Sequence, residues 1–233
     1  PACPTGRSTA LRRPSPRSRR WRAVRASICR IRSRGRFRDI ENWASLLEIL
    51  LHTEMREWRQ AHSRSEILRV DSPDQRTLAR LNAVKLQLRG RIFSAQGQIK
   101  LALAEFEKGL AALRVGPAQT EDLAITAEIY NDQGQAYHRE GLLDEANGAY
   151  TTAETVASHI TFPLATARSL RGRGLVELSR KKYQEAVSYL KSSLDICQRH
   201  DTPYGILRSS ISLGRAFYAQ ADLREALYYF EEA

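Results

Sequence analysis

The amino-acid sequence predicts an all-α fold, an open right-handed solenoid of about five antiparallel helix pairs. Three regularities predict it. An alanine recurs among similar neighbours at spacings of 40 to 44 residues, a glycine precedes each of the last four alanines, and prolines separate the units. A period of this length is typical of repeat proteins, in which each unit stacks on the next. The alanines are Ala61, Ala102, Ala146, Ala186 and Ala226.

The alanines mark the second helix of each pair. In the last unit Leu223, Ala226, Phe230 and Ala233 are separated by three, four and three residues. These offsets place all four residues on one face of a helix. The same spacing begins at four earlier positions, which are Trp58, Ile99, Leu143 and Tyr183.

The first helix of each pair repeats a second pattern. Unit one begins with Trp43, Leu46, Leu47 and Leu50, and the later units carry a glycine near large apolar residues. A glycine inside a helix costs about 1 kcal/mol relative to alanine, so its repeated use indicates close packing between helices. These glycines are Gly90, Gly134, Gly174 and Gly214.

Short breaks divide the helices. Gly97 and Gly141 suit a helix C-terminus, whereas residues 181–182 and 221–222 occupy the same place in the later units. Prolines are tolerated in the first turn of a helix, where the N–H would be unpaired. We therefore expect a new unit to begin near each of Pro73, Pro117, Pro163 and Pro203, with Ser72 and Thr202 as N-caps.

This pattern resembles the tetratricopeptide repeat over residues 40–233. That family places Trp, Leu, Gly and Tyr on the first helix, and Ala, Phe and Ala on the second. The residues that match it best are Leu213, Gly214, Phe217, Ala226, Phe230 and Ala233. The usual period is about 34 residues, so these longer repeats look like those of bacterial signal-transduction ATPases and MalT-type transcription regulators. Glu177 departs from the pattern, because unit four has no aromatic residue there.

The excess charge of the chain lies at its N-terminus. Residues 1–38 contain thirteen arginines and no lysine or acidic residue, whereas residues 39–233 contain 24 basic and 26 acidic residues. A segment of this composition is expected to be disordered. It is a nucleic-acid or membrane-binding arm, a targeting peptide, or a stretch that is not native coding sequence, as the abrupt change at Asp39 also suggests.

The sequence contains no recognisable catalytic or metal-binding constellation. The three cysteines and five histidines lack the spacings of zinc ligands, and we expect each histidine at a surface or a helix end. Gly172, Arg173 and Gly174 lack the Gly-Lys-Ser/Thr of a phosphate-binding loop. We therefore predict a non-enzymatic protein without cofactors, located in the cytoplasm.

The resemblance implies a binding groove lined by the first helices. Carrying over the groove positions of the family predicts eight residues, with His138 as a further candidate. They are Gln87, Arg91, Asn131, Gln135, Arg168, Arg171, Arg208 and Arg215. Arg168 and Arg208 are forty residues apart, at equivalent positions of neighbouring units. Either they form a basic row for a partner with carboxylates, or they pair with nearby glutamates on a solvated face.

We therefore expect a scaffold that binds a protein or peptide, as the sensor or partner-binding part of a larger bacterial signalling or transcription regulator. The alternative is a nucleic-acid-binding protein that uses the N-terminal arm. Because residues 213–233 end on the last position of the repeat pattern, we also expect more repeats or a capping helix to follow.

Overall fold

The computed structural model describes residues 38–72 and 74–233, and within them it contains ten α-helices and no strand. The expected all-α solenoid of five helix pairs is confirmed. Residues 1–37 and Pro73 lie outside the described residues, and with them nearly all of the Arg-rich segment. The helices are α1 (Arg38–Glu54), α2 (Trp58–Ile67), α3 (Gln75–Ala95), α4 (Ile99–Ala112), α5 (Thr120–Glu140), α6 (Leu143–His159), α7 (Pro163–Ser179), α8 (Tyr183–Arg199), α9 (Pro203–Ala219) and α10 (Leu223–Glu231).

The helices form two layers. The first helices α1, α3, α5, α7 and α9 contact one another in chain order. The second helices α2, α4, α6 and α8 each pack between their own first helix and the next one, and α10 packs on α9. The anchor alanines lie in these contacts: Ala61, Ala102, Ala146 and Ala186 are fully buried and Ala226 nearly so. This arrangement gives a continuous inner layer of first helices, which carries the groove described below.

The glycines of the first helices make room for a large side chain of the second helix. A Cβ on Gly134 would lie 2.7 Å from the ring of Tyr150, and one on Gly214 would lie 2.6 Å from the ring of Phe230. Both distances are shorter than any normal contact. The repeated glycines therefore have the packing cause that their spacing predicts.

The turn that joins the two helices of a pair has the same backbone conformation in different units, although different residues form it. Gly141 ends α5 with φ of 79°, in the left-handed region that glycine enters without a steric penalty. Lys181 and Ala221 occupy the equivalent turns with φ of 62° and 61°. The surrounding hydrogen bonds hold them there: the Lys182 amide donates to the Glu177 carbonyl at 2.9 Å.

Helix starts follow the prolines with one correction. Pro163 and Pro203 are the first residues of α7 and α9. The N-cap of α3 is Asp74 rather than Ser72, because the Asp74 carboxylate accepts the Thr77 amide at 2.7 Å. Thr202 occupies the N-cap position of α9, but its side chain makes no capping hydrogen bond.

Glu177 occupies the position of unit four at which the repeat pattern has an aromatic residue. Its side chain is buried, and one carboxylate oxygen accepts a hydrogen bond from Arg180 at 2.6 Å. Lys182 lies 3.9 Å from the other oxygen. An ion pair of neighbouring residues thus replaces the ring found in the other units.

Candidate binding groove

Three adjoining cavities lie along the inner layer of helices. Their volumes are about 720, 530 and 630 Å³, and Gln135 and Arg208 line all three. Because they share these residues, we treat them as one groove, formed mainly by α3, α5, α7 and α9. Seven arginines line it: Arg56, Arg91, Arg139, Arg168, Arg171, Arg208 and Arg215.

Asp132 on α5 is the centre of a buried polar network at one side of the groove. Its side chain is almost completely buried, accepts a hydrogen bond from Gln87 Nε2 at 2.6 Å, and pairs with Arg168. Arg168 also pairs with Glu128, one turn earlier on α5. These two carboxylates keep the pKa of Arg168 above its ordinary value even though burial of the guanidinium lowers it. The network joins α3, α5 and α7, and within it the charge of Arg168 is neutralised.

Arg171 lies one turn further along α7 in a different environment. No carboxylate of the described residues lies within ion-pair distance of it. Burial, together with the charges of Arg208 and Arg168, lowers its pKa to about 10. Arg171 is therefore a cation close to two other cations, and an anion bound in the groove would offset the repulsion between Arg171, Arg168 and Arg208.

Arg208 on α9 is held by an aromatic side chain instead of an acid. Its Nη1 donates to the hydroxyl of Tyr204 at 2.9 Å, and its guanidinium carbon lies 5.4 Å from the centre of that ring. A neutral hydroxyl orients the guanidinium without cancelling its charge. Arg208 lines all three cavities of the groove.

Tyr204 also links the two ends of the solenoid. Its hydroxyl lies 3.4 Å from a carboxylate oxygen of Glu54 on α1, 150 residues earlier, and Glu54 also pairs with Arg91. Tyr204 is 57% exposed, so this contact crosses the groove mouth rather than its interior. The groove is bounded by the first unit on one side and the fifth on the other.

The far end of the groove carries further cations. Arg139 donates to the carbonyl oxygen of Ser94 at 2.7 Å, and Arg215 is exposed on α9. His138 shares a hydrogen bond of 2.9 Å with Ser179. Burial lowers the pKa of His138, and the nearby charge of Arg215 lowers it further. The neutral imidazole is therefore favoured beside this arginine.

Comparison with known proteins agrees with this architecture. The tetratricopeptide repeat family model matches residues 164–233. The described units before them continue the same stack of helix pairs. No curated protein matches the chain in sequence.

Solved structures share the fold over most of the chain. BtubC from P. vanneervenii has a TM-score of 0.62 at 16% identity, covering 94% of this chain and 89% of that one. A putative kinesin light chain from Podosopora anserina, with nearly identical TPR-like repeats, has a TM-score of 0.53 at 18% identity, covering 81% and 91%. A Rap protein in complex with the competence and sporulation factor has a TM-score of 0.57 at 13% identity, covering 83% and 64%. At these identities the likeness concerns the fold.

The structure brings seven of the eight predicted groove residues to the cavity walls, and Gln87 is the exception. Gln87 is buried behind them against Asp132. Asn131 touches the wall but is only 1% exposed; it donates to the Ala165 carbonyl at 3.2 Å and accepts from Ser169 at 3.0 Å. Both amides join neighbouring first helices, so the accessible set is smaller than the sequence predicts. It comprises Arg91, Gln135, Arg168, Arg171, Arg208 and Arg215.

Sequence reasoning did not find three groove residues. Glu54 and Tyr204 meet only because the solenoid curves, and the distance between α1 and α9 cannot be read from a repeat period. Arg139 lies one residue beyond His138 and could have been found as a basic residue in the last turn of α5. His52 lies in the last turn of α1, in keeping with the expected helix-end position, and is buried there with a hydrogen bond of 2.6 Å to Glu57.

The described residues contain neither a metal-binding cluster nor a membrane-spanning helix. Residues 38–72 and 74–233 contain no group of three or more His, Cys, Asp or Glu side chains placed to hold a metal ion. In the same ranges no helix is both long and apolar enough to cross a membrane.

Proposed function

We propose that this chain is a protein-interaction scaffold whose groove binds a peptide or protein segment carrying carboxylates. In this proposal it acts as the sensor or partner-binding part of a larger bacterial signalling or transcription regulator. The observation that carries the proposal is the set of arginines whose charge the fold does not neutralise. Arg171 has no carboxylate partner among the described residues, Arg208 has only a tyrosine, and Arg215 is exposed.

An acidic segment would be stabilised in this groove for two physical reasons. Guanidinium groups bind carboxylates through paired, charge-assisted hydrogen bonds, which are stronger than neutral ones. An anion between Arg171 and Arg208 would also remove the repulsion that lowers the pKa of Arg171. The groove is long enough to take several residues of an extended or helical chain, since its cavities border first helices of all five units.

The comparisons support a peptide as the kind of ligand. A Rap protein of the same fold was solved in complex with the competence and sporulation factor. Its low sequence identity transfers no residue role, but it shows that a solenoid of this shape accommodates a bound factor. The acidic character of the ligand is inferred from the arginines of this chain alone.

The test is a selection of binders from a randomised octapeptide library on the immobilised 233-residue protein. We expect enrichment of Asp and Glu. The affinity of an enriched peptide for the wild type, Arg171→Glu and Arg208→Glu is then measured by fluorescence anisotropy. Each reversal should weaken binding at least about tenfold, because it replaces an attraction by a repulsion.

Arg114→Glu is the matched control, since Arg114 is exposed in the loop after α4 and lies outside the groove. It changes the net charge by the same amount and should leave affinity within about twofold, as expected for a distant exposed charge. A library that yields no acidic preference, or equal weakening by all three reversals, would contradict the proposal.

A further inference from the structure

One part of the groove differs from the rest in the chemistry of its floor. The cavity of about 530 Å³ is bordered by α1, α7, α8 and α9. Carbon and sulfur atoms make up much of its wall, contributed by Leu50, Leu164, Ala167, Cys197 and Gly205. Its volume falls in the range of about 300–1,000 Å³ that is typical of small-ligand sites. It has room for at least one large side chain.

The hydroxyl groups in this floor are occupied by one another. Ser193 Oγ lies 2.7 Å from the Ala167 carbonyl, to which it donates, and 3.0 Å from Ser209 Oγ. The Cys197 thiol is hydrogen-bonded to the same two serines, and burial raises its pKa. Because these polar atoms already have partners, they offer little to a polar ligand. An apolar group can cover them without breaking a hydrogen bond.

Part of the same wall is charged. Arg171 and Arg208 line the cavity together with Arg168, Arg91 and Glu54. Arg168 pairs with Glu128 and Asp132, and Arg91 pairs with Glu54, so Arg171 and Arg208 supply the unbalanced charge. A ligand that fills the cavity must therefore carry an apolar group and, close to it, an anion.

We infer that this cavity is a subsite for an apolar side chain of leucine to phenylalanine size, next to a carboxylate bound by Arg171 and Arg208. The inference rests on the proposed function and specifies the sequence of the bound segment. An acidic residue lies within one or two positions of a large apolar residue, and this pairing sets specificity. A carboxylate-rich segment without the apolar residue binds the rest of the groove but leaves the cavity unfilled.

The octapeptide selection tests the pairing directly. We expect the enriched sequences to contain Leu, Ile, Met or Phe within two positions of Asp or Glu, more often than the library composition predicts. Replacing that apolar residue by Ser in an enriched peptide should weaken binding at least about tenfold, because the side chain is returned to water.

The protein side of the test uses Leu164, a wall residue that is 41% exposed and so contributes little to folding. Leu164→Ser should weaken the apolar peptide several-fold and leave its Ser analogue unchanged. Leu101→Ser, at a leucine of α4 that is 52% exposed and outside the groove, is the matched control and should change neither. Thermal melting checks that both variants fold.

The outcomes separate this inference from the function on which it rests. Acidic peptides without a neighbouring apolar residue, bound equally well by the wild type and Leu164→Ser, would overturn the subsite and leave the acidic groove standing. A library without acidic enrichment would overturn both. Apolar peptides that bind equally well to the wild type and Arg171→Glu would overturn the pairing of the two groups.

Discussion

Two neighbouring helix interfaces, α5–α7 and α7–α9, use arginines at equivalent positions in different ways. Arg168 faces Glu128 and Asp132 of the preceding first helix and pairs with both. Arg208, forty residues later, has a tyrosine as its hydrogen-bond partner. The cause is visible in the sequence: forty residues after Glu128 and Asp132 stand Arg168 and Gly172.

The difference shows how one repeat can contribute to folding and the next to binding. At α5–α7 the charges are buried in pairs, and their loss would disturb three helices. At α7–α9 the carboxylates are missing, so the cations remain available to a ligand. The ion-pair interpretation therefore describes Arg168, whereas ligand binding by Arg208 stays a prediction.

The largest expected effect comes from removing the acid at the α5–α7 interface. Asp132→Ala leaves buried Gln87 without its acceptor and Arg168 with Glu128 as its remaining carboxylate. We expect a loss of about 3 kcal/mol in unfolding free energy, as for broken buried ion pairs. Urea denaturation measures it. Asp195→Ala breaks an exposed pair with Arg199 and should have an effect close to zero. Similar values for the two variants would show that the Asp132 network is not structural.

A second prediction concerns the packing at the same place. Gly172 on α7 lies against the ring of Tyr150, whereas Ser212 occupies the equivalent position of α9. Gly172→Ser should destabilise the protein by about 1–3 kcal/mol, because the added atoms overlap the ring. Gly148→Ser, on α6 with open space around it, should be neutral or slightly stabilising. A neutral Gly172→Ser would mean that the two interfaces tolerate the same residues.

The sequence predicted the repeats better than the groove. Alanine and glycine spacing fixes which residues meet inside a pair, because Gly134 against Tyr150 is a local contact of neighbouring helices. The groove depends on how successive pairs rotate, and small rotations decide whether Asn131 faces a neighbour or the cavity. Glu54 and Tyr204 come together through the summed rotations of five units, and the spacing of the repeats in the sequence does not reveal this contact.

A third prediction exchanges Arg168 and Arg171 of α7, one at a time, for an uncharged side chain of similar length. Arg171→Met should leave stability unchanged or raise it by up to about 1 kcal/mol, since it removes a cation that burial and two neighbouring arginines disfavour. Arg168→Met should instead lower it by about 3 kcal/mol, because buried Asp132 would lose its close ion pair and keep only Arg91, at 3.9 Å, as a cationic neighbour. Denaturation curves of the two variants give the comparison directly. Equal losses would remove the distinction between the interfaces.

The smallest expected effect is a pH dependence at the far end of the groove. Burial, assisted by Arg215, lowers the pKa of His138 below its ordinary value of 6.5. Below that value the unfolded chain binds a proton that the folded protein resists, so this residue makes stability fall as the pH drops through about 6.5. His138→Gln should make the stability of the protein less dependent on pH between 7 and 5, whereas His159→Gln, at an exposed histidine, should leave the slope of the wild type. If Arg215→Ala also reduces the slope of stability against pH, the charge of Arg215 contributes to the lowered pKa of His138 in the folded protein. If neither His138→Gln nor Arg215→Ala changes the slope of stability against pH, the prediction that His138 causes this pH dependence is wrong.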